Sequence, residues 1–443
     1  MNFKFNIYIQ KNDNIIHLSS MVFKISENYE KYINNYVEVI VKKALNLQPN
    51  QRLLIMSAFD PGVPIELAYF IKLIVKKAYE VGARLVDVMW RDDQVQLVRY
   101  KHAHRESLEE YPNWRSETAE RYLENGDAIL FIYAEDPDIF KNVDPQLLSI
   151  TQHAMFRNLK SLLDKIGKNL SNWVMISAPI DGWSNKLFSE IPPEKRKEHF
   201  WDLMFEICRV KNENPQLTWD RHINQLNKRC HYLNQQNYSA LKLQGPGTDL
   251  TIGLPEGYLW LSGSEMSRND ISFIANIPTE EIFTAPHKGK VNGYVSCSKP
   301  LFFGGRLVED FKLTFSEGKV IDATAKQGVS LLNDLLSTDE GSNRIGEIAL
   351  VPNSSPISQS GKLFYNILID ENAASHIALG FAYRSSIDGG NYMTDDEFKE
   401  AGGNLSGIHI DFMVGSADLN VDGVLKNGVI EPIMKKGEWT FKF

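Results

Sequence analysis

Between residues 26 and 45, apolar side chains fall at Tyr29, Ile33, Tyr36, Val37, Ile40 and Ala44. That three-to-four spacing lines one face of a helix, and Ser26 is placed to cap it. The period then changes. Residues 52–56 read as a buried strand, Arg52 leading the apolar run Leu53-Leu54-Ile55-Met56, and residues 64–81 return to helical spacing until Gly82 stops it. Further strands are predicted over 84–90, 128–133 and 173–178, separated by helical segments, most clearly 145–166. Strands alternating with helices predict a parallel, doubly wound α/β domain over residues 21–240. From about residue 241 glycines thicken and short strands dominate, at 250–252, 295–297, 311–315, 348–351 and 408–414. The expected fold class is therefore α/β, with an N-terminal doubly wound domain and a β-rich, α+β domain over 241–443. Residues 1–20 read as an N-terminal extension.

The chain has 443 residues, enough for two such domains, and its 43% hydrophobic content is that of a globular protein. A net charge of -8, with Lys195-Arg196-Lys197 interleaved by Glu194 and Glu198, speaks against a nucleic-acid track. Cys208, Cys230 and Cys297 are odd in number and far apart, which supports neither a disulfide framework nor a thiolate zinc site. A reducing, cytoplasmic compartment is expected. Residues 1–20 alternate but are broken by Lys4, Lys11 and Asp13, unlike a signal peptide, and no run is long enough to span a bilayer, so no membrane association is expected.

The turns after the early strands lack G-x-G-x-x-G and G-x-x-x-x-G-K-[ST], and Gly245-Pro246-Gly247 reads as a turn. The α/β domain is thus expected to be a scaffold, a gate or an oligomer contact. Residues 418–423 imitate the opening of a calcium loop, but Glu431 arrives two positions late for its closing ligand, so a glycine-containing turn is expected.

Candidate chemistry collects in the second half. His409 and Asp411 stand two apart in Ile408-His409-Ile410-Asp411-Phe412, so a strand would turn both to one face and Ile410 to the other. Alone, the pair is a weak metal signal, since a His and an Asp can simply hydrogen-bond each other. Glu280 and Glu281 are adjacent on an extended segment, so one can enter a site while the other meets solvent. Glu347 opens a very apolar strand, where an acid is costly unless paired or bound to metal. His376 leads another apolar run, and Gly380 could bend that run to bring Tyr383 round to it. Glu340, toward the end of a preceding helix, and Glu371 lie nearby. Two Glu, two His, one Asp and one Tyr suit a pair of borderline divalent ions such as zinc, cobalt or manganese. Such a pair can hydrolyse an amide without a protein nucleophile, and no G-x-S-x-G competes.

Residues 276–293 (NIPTEEIFTAPHKGKVNG), 339–357 (DEGSNRIGEIALVPNSSPI), 363–383 (LFYNILIDENAASHIALGFAY) and 407–423 (GIHIDFMVGSADLNVDG) together resemble the M29 family of thermophilic-type metalloaminopeptidases. The resemblance runs over about residues 21–443. It implies a two-metal site carried by Glu281, Glu347, His376, Tyr383, His409 and Asp411, with Glu340 and Glu371 as candidates for proton transfer. It also implies a homodimer that removes the N-terminal residue from short peptides. The ligand pattern by itself leaves two alternatives, a metallo-amidohydrolase acting on a non-peptide amide and a noncatalytic, metal-stabilised oligomer.

Overall fold

A computed structural model describes residues 27–57, 62–303 and 305–443. The expected extension, residues 1–20, and the Ser26 cap lie outside the described residues. The first helix runs over Glu27–Glu38 and continues as a wider π-type turn over Val39–Ala44, closed by Leu45 N–H donating to Ile40 O at 2.8 Å. The protein is α/β. Its parallel sheet has the strand order Leu85–Val88, Arg52–Met56, Ala128–Ile132, Trp173–Ile176 and Asn276–Ile277.

Alternation along these strands feeds two apolar layers, as a doubly wound sheet requires. Leu54, Met56, Ile129 and Phe131 pack with Ala119, Tyr122 and Leu123 of helix Trp114–Glu124 and with Leu159 and Leu162 of helix Pro145–Gly167. Leu53, Ile55, Leu130 and Ile132 join the larger core with Ile33, Phe70 and Phe200. That core runs without a break from Ile33 to Met434. Residues 276–277, beyond the expected boundary near 241, complete the parallel sheet.

Most of the remaining strands make two large antiparallel sheets. One has eight strands and includes Val291–Ser296, Thr248–Gly253, Ala240–Gly245 and Asn420–Val424 as neighbours. The other has five, in the order His409–Met413, His376–Gly380, Ile345–Leu350, Ile282–Thr284 and Leu261–Ser262. Two expectations are corrected. The predicted strand over 84–90 is divided, and its end, Trp90–Arg91, pairs with Val63–Pro64. Residues 418–423 form neither a glycine-containing turn nor a calcium loop: a turn at Ala417–Asp418 leads into strand Asn420–Val424, which holds Gly423 and pairs with Ala240–Gly245, and Lys435 Nζ donates to Asp422 Oδ1 at 2.6 Å. No helix among the described residues is long and apolar enough to cross a membrane.

The two halves meet where the chain leaves the carboxyl ends of the parallel strands. Asn366 Nδ2 donates to Tyr133 O at 3.2 Å, and Trp183 Nε1 donates to Phe364 O. Asp370 caps that crossing by accepting the N–H of Phe364 at 2.7 Å and of Asn366 at 3.0 Å. Glu371 follows directly, so this junction delivers an acid to the five-stranded antiparallel sheet.

Candidate metal centre

Three adjacent strands of that sheet place most of the candidate side chains by register alone. Glu347 stands opposite Ala378, and Ala378 stands opposite Asp411. Side chains at i and i+2 share a face, so His376 joins Ala378, and His409 joins Asp411. The irregular pairing between Ile345 and Glu347 is what turns this acid to the polar face of an otherwise buried apolar strand. Glu281 reaches the same face two positions before Phe283, which pairs with Ala349.

Two groups of three result. The ligand atoms of Glu281, Glu347 and His376 all lie within 4.8 Å of one another, as do those of Glu347, His409 and Asp411. Glu347 belongs to both, through different oxygens. Its Oε1 lies 3.7 Å from His376 Nε2 and its Oε2 lies 3.4 Å from His409 Nε2. Glu281 Oε2 is 3.0 Å from His376 Nε2, and Asp411 Oδ1 is 3.5 Å from His409 Nε2. The 3.0 Å approach is close but not aligned as a hydrogen bond, which leaves Glu281 Oε2 a buried oxygen without a donor.

Both imidazoles are turned by backbone carbonyls. His376 Nδ1 lies 3.1 Å from Ala374 O, and His409 Nδ1 lies 2.8 Å from Phe381 O. A carbonyl only accepts, so each Nδ1 carries a proton and each Nε2 is directed at the carboxylates, the arrangement of a metal-binding histidine. Burial acts to lower both imidazole pKa values. Glu281 and Glu347 around His376, and Asp411 and Glu347 around His409, outweigh it and hold both well above the usual range. Burial would raise Glu347, but its contacts with the two histidines take it down to about 2. Glu281 moves the other way, raised by burial with His376 opposing. A site with four acids and two imidazoles in so small a volume suits cations, which relieve both the carboxylate crowding and the orphaned oxygen.

Gly380 ends strand His376–Gly380 with φ of +110°, a region L side chains rarely adopt, and a Cβ there would stand 2.0 Å from Ile408 O. The bend carries Tyr383 back over the site, where its ring centroid lies 5.0 Å from that of His409. Tyr383 is 37% exposed, but its hydroxyl end faces inward, where burial first, and then Glu347, Asp411, Glu371 and Glu281, keep it well above the usual phenol range.

The two proton-transfer candidates are separated. Glu371 is half-buried and raised well above the carboxylate range, by burial and then by Glu281 and Asp411. Its Oε1 accepts from Asn372 Nδ2 at 3.3 Å. Glu340 is exposed in a turn beyond helix Val329–Leu336, outside both ligand groups, with Lys288 for an electrostatic neighbour. Glu280 also departs from expectation. It does not meet solvent but is 3% exposed and paired with Arg209. Arg209, Asn372 and the spacer Ala378 had no signal in the sequence, because their roles come from residues distant in the chain.

The family described as Thermophilic metalloprotease (M29) matches residues 29–439. Aminopeptidase 2 of Geobacillus stearothermophilus is 40% identical, covering 94% of this chain and 99% of its own. Aminopeptidase AmpS of Bacillus subtilis (strain 168) is 39% identical over 94% of this chain and 100% of its own. Among solved structures, wild-type AmpT from Thermus thermophilus has a TM-score of 0.87 at 35% identity, covering 93% of this chain and 100% of that one.

Proposed function

The chain belongs to the thermophilic metalloprotease family M29 and is a metal-dependent peptidase of the aminopeptidase type, and from that premise we propose that it removes the N-terminal residue of short peptides at a dinuclear metal centre. The observation that carries the reading is Glu347, whose two oxygens face two different histidines and so join two ligand groups. Glu281 and His376 complete one subsite, and His409 and Asp411 the other. Tyr383 borders the second. The ions, zinc, cobalt or manganese, would polarise the first peptide carbonyl and acidify a water when bound.

The chain's own groups do the rest. Glu347 stays ionised and fixes the spacing of the two subsites. Glu371 accepts the proton of the attacking water and returns it to the leaving amine; cations bound beside it would offset the burial and the crowding by Glu281 and Asp411 that otherwise keep it protonated. Glu340, exposed and outside the cluster, drops out of that role. The excess of carboxylates also attracts the free α-amine of the substrate, which makes the enzyme an exopeptidase. A homodimer and a cytoplasmic setting belong to the same reading, the latter supported by three free cysteines.

Hydrolysis of leucyl- and arginyl-p-nitroanilide tests it, with the protein as purified, after EDTA, and after adding back Zn²⁺, Co²⁺ or Mn²⁺. The expected result is activity lost to chelator, restored by metal and absent on N-acetylated substrates. Glu347→Gln should lose both ions and Glu281→Gln one. Turnover of acyl amides with none on aminoacyl substrates would replace the reading with an amidohydrolase. Two bound ions without turnover on either would replace it with a structural metal site.

A further inference from the structure

Only four residues separate the two sheets at the metal centre. Ile277 ends the strand that closes the parallel sheet, and Ile282 begins a strand of the antiparallel one. Successive side chains on an extended segment point opposite ways, so turning Glu281 to the cluster turns Glu280 back to the α/β half. A prepared partner meets it there. Arg209 Nη2 donates to Glu280 Oε2 at 2.8 Å while Nη1 donates to Oε1, a forked pairing that fixes the plane of the carboxylate as well as its distance.

Arg209 is itself constrained. It follows helix Pro193–Ile207 with φ of +57°, and its guanidinium carbon lies 5.7 Å from the centroid of the Trp219 ring. His222 Nε2 donates to Thr279 O at 2.7 Å. From the other side, the Glu280 N–H donates to Asn372 Oδ1 at 2.7 Å, and Asn372 is the residue that donates to Glu371. The segment is thus gripped at 279 and 280, immediately before a ligand of the cluster.

We propose that Arg209 is a positioning residue for the metal centre, whose forked grip on Glu280 aims Glu281 and so sets the affinity of the Glu281–Glu347–His376 subsite. Sealing the segment needs no ion pair, since apolar residues of similar volume often serve a buried pair's place as well or better. What the fork adds is one orientation. The inference rests on the two-subsite reading above.

The test compares wild type, Arg209→Met, Arg209→Lys and the double variant Arg209→Met/Glu280→Met as full-length, metal-free proteins. Co²⁺ is titrated by calorimetry and visible absorption, with thermal unfolding and kcat and KM alongside. Arg209→Met is expected to weaken one of the two ions roughly 10–100-fold and spare the other, lowering kcat with KM nearly unchanged. Arg209→Lys, which keeps charge but not the fork, should fall between. The double variant should recover the metal-free melting temperature without recovering the weakened ion. Recovery of full metal affinity in the double variant overturns the proposal, as does equal weakening of both ions, or of neither, by Arg209→Met. Should wild type bind a single ion, the two-subsite reading fails. Arg209 is then judged on that ion, an unchanged affinity overturning its role and a weakened one supporting it.

Discussion

Glu347 and Asp411 lie on one rung of the five-stranded antiparallel sheet, two strands apart, with only Ala378 between them. Two carboxylates facing each other across a methyl group leave room above the sheet that a larger residue would fill. Ala378 is fully buried and shares its face with His376. Ala378→Leu is therefore expected to displace the ions while the strand pairing persists, because the added volume enters the cluster. On the proposed two-ion reading, metal content by mass spectrometry should fall from two ions toward none, with circular dichroism unchanged. Ala378→Ser should retain both.

Glu371 and Glu340 are separated by exposure and by company. Glu371→Gln is expected to lower kcat by roughly 10²–10⁴-fold with metal content unchanged, the range for losing a general acid–base group. Glu340→Gln should leave kcat within about twofold, since exposed substitutions away from a site rarely matter. Steady-state kinetics with metal content determined on the same samples checks both.

The histidines make the metal-free protein respond to pH with a definite sign. His376 and His409 have folded pKa values above their unfolded ones, so their stabilising contribution is complete below about 6.5 and is lost as pH rises through the folded values. Glu281 and Glu371, also raised, act in the same direction from about 4.5 upward. Glu347 opposes them only in acid, where its contribution disappears as pH falls toward about 2. Melting temperature after EDTA should accordingly decline from pH 6 to 9. Metal competes with those protons, so the metal-induced rise in melting temperature should grow over the same interval. Calorimetry in buffers of different ionisation enthalpy should record protons released on metal binding.

Gly380 is the hinge that brings Tyr383 back to His409. At φ of +110°, with Ile408 O in the way of any Cβ, Gly380→Ala must move the backbone. A loss on the order of 3 kcal/mol is expected in urea unfolding of the metal-free protein. Metal affinity should fall with it, because the carbonyl of Phe381, one residue on, orients His409. A glycine-to-alanine change at Gly361, where a Cβ would meet no atom within 4 Å, provides the milder comparison at another positive φ.

Local pattern determined a good deal of this protein. A period of two in Ile408-His409-Ile410-Asp411 is enough to put His409 and Asp411 on one face, because pleating is a property of the strand itself. The alternation of apolar runs with helical stripes likewise determined the α/β class and located the four early strands of the parallel sheet. Adjacent acids at 280 and 281 had to point opposite ways, whatever surrounded them.

Tertiary structure decided the rest, since it depends on which strands become neighbours. Only the order of strands makes Glu347 common to two ligand groups, and only the carbonyls of Ala374 and Phe381 choose which imidazole nitrogen faces them. Sequence pattern sends Glu280 to solvent; in the fold it is buried against Arg209, 71 residues away along the chain. The fifth strand of the parallel sheet comes from residues 276–277 for the same reason. Periodicity records which side of its own backbone a residue occupies. Pairing across sheets and between distant loops is set by how the apolar faces of all the elements close on one core, and that is a property of the whole chain.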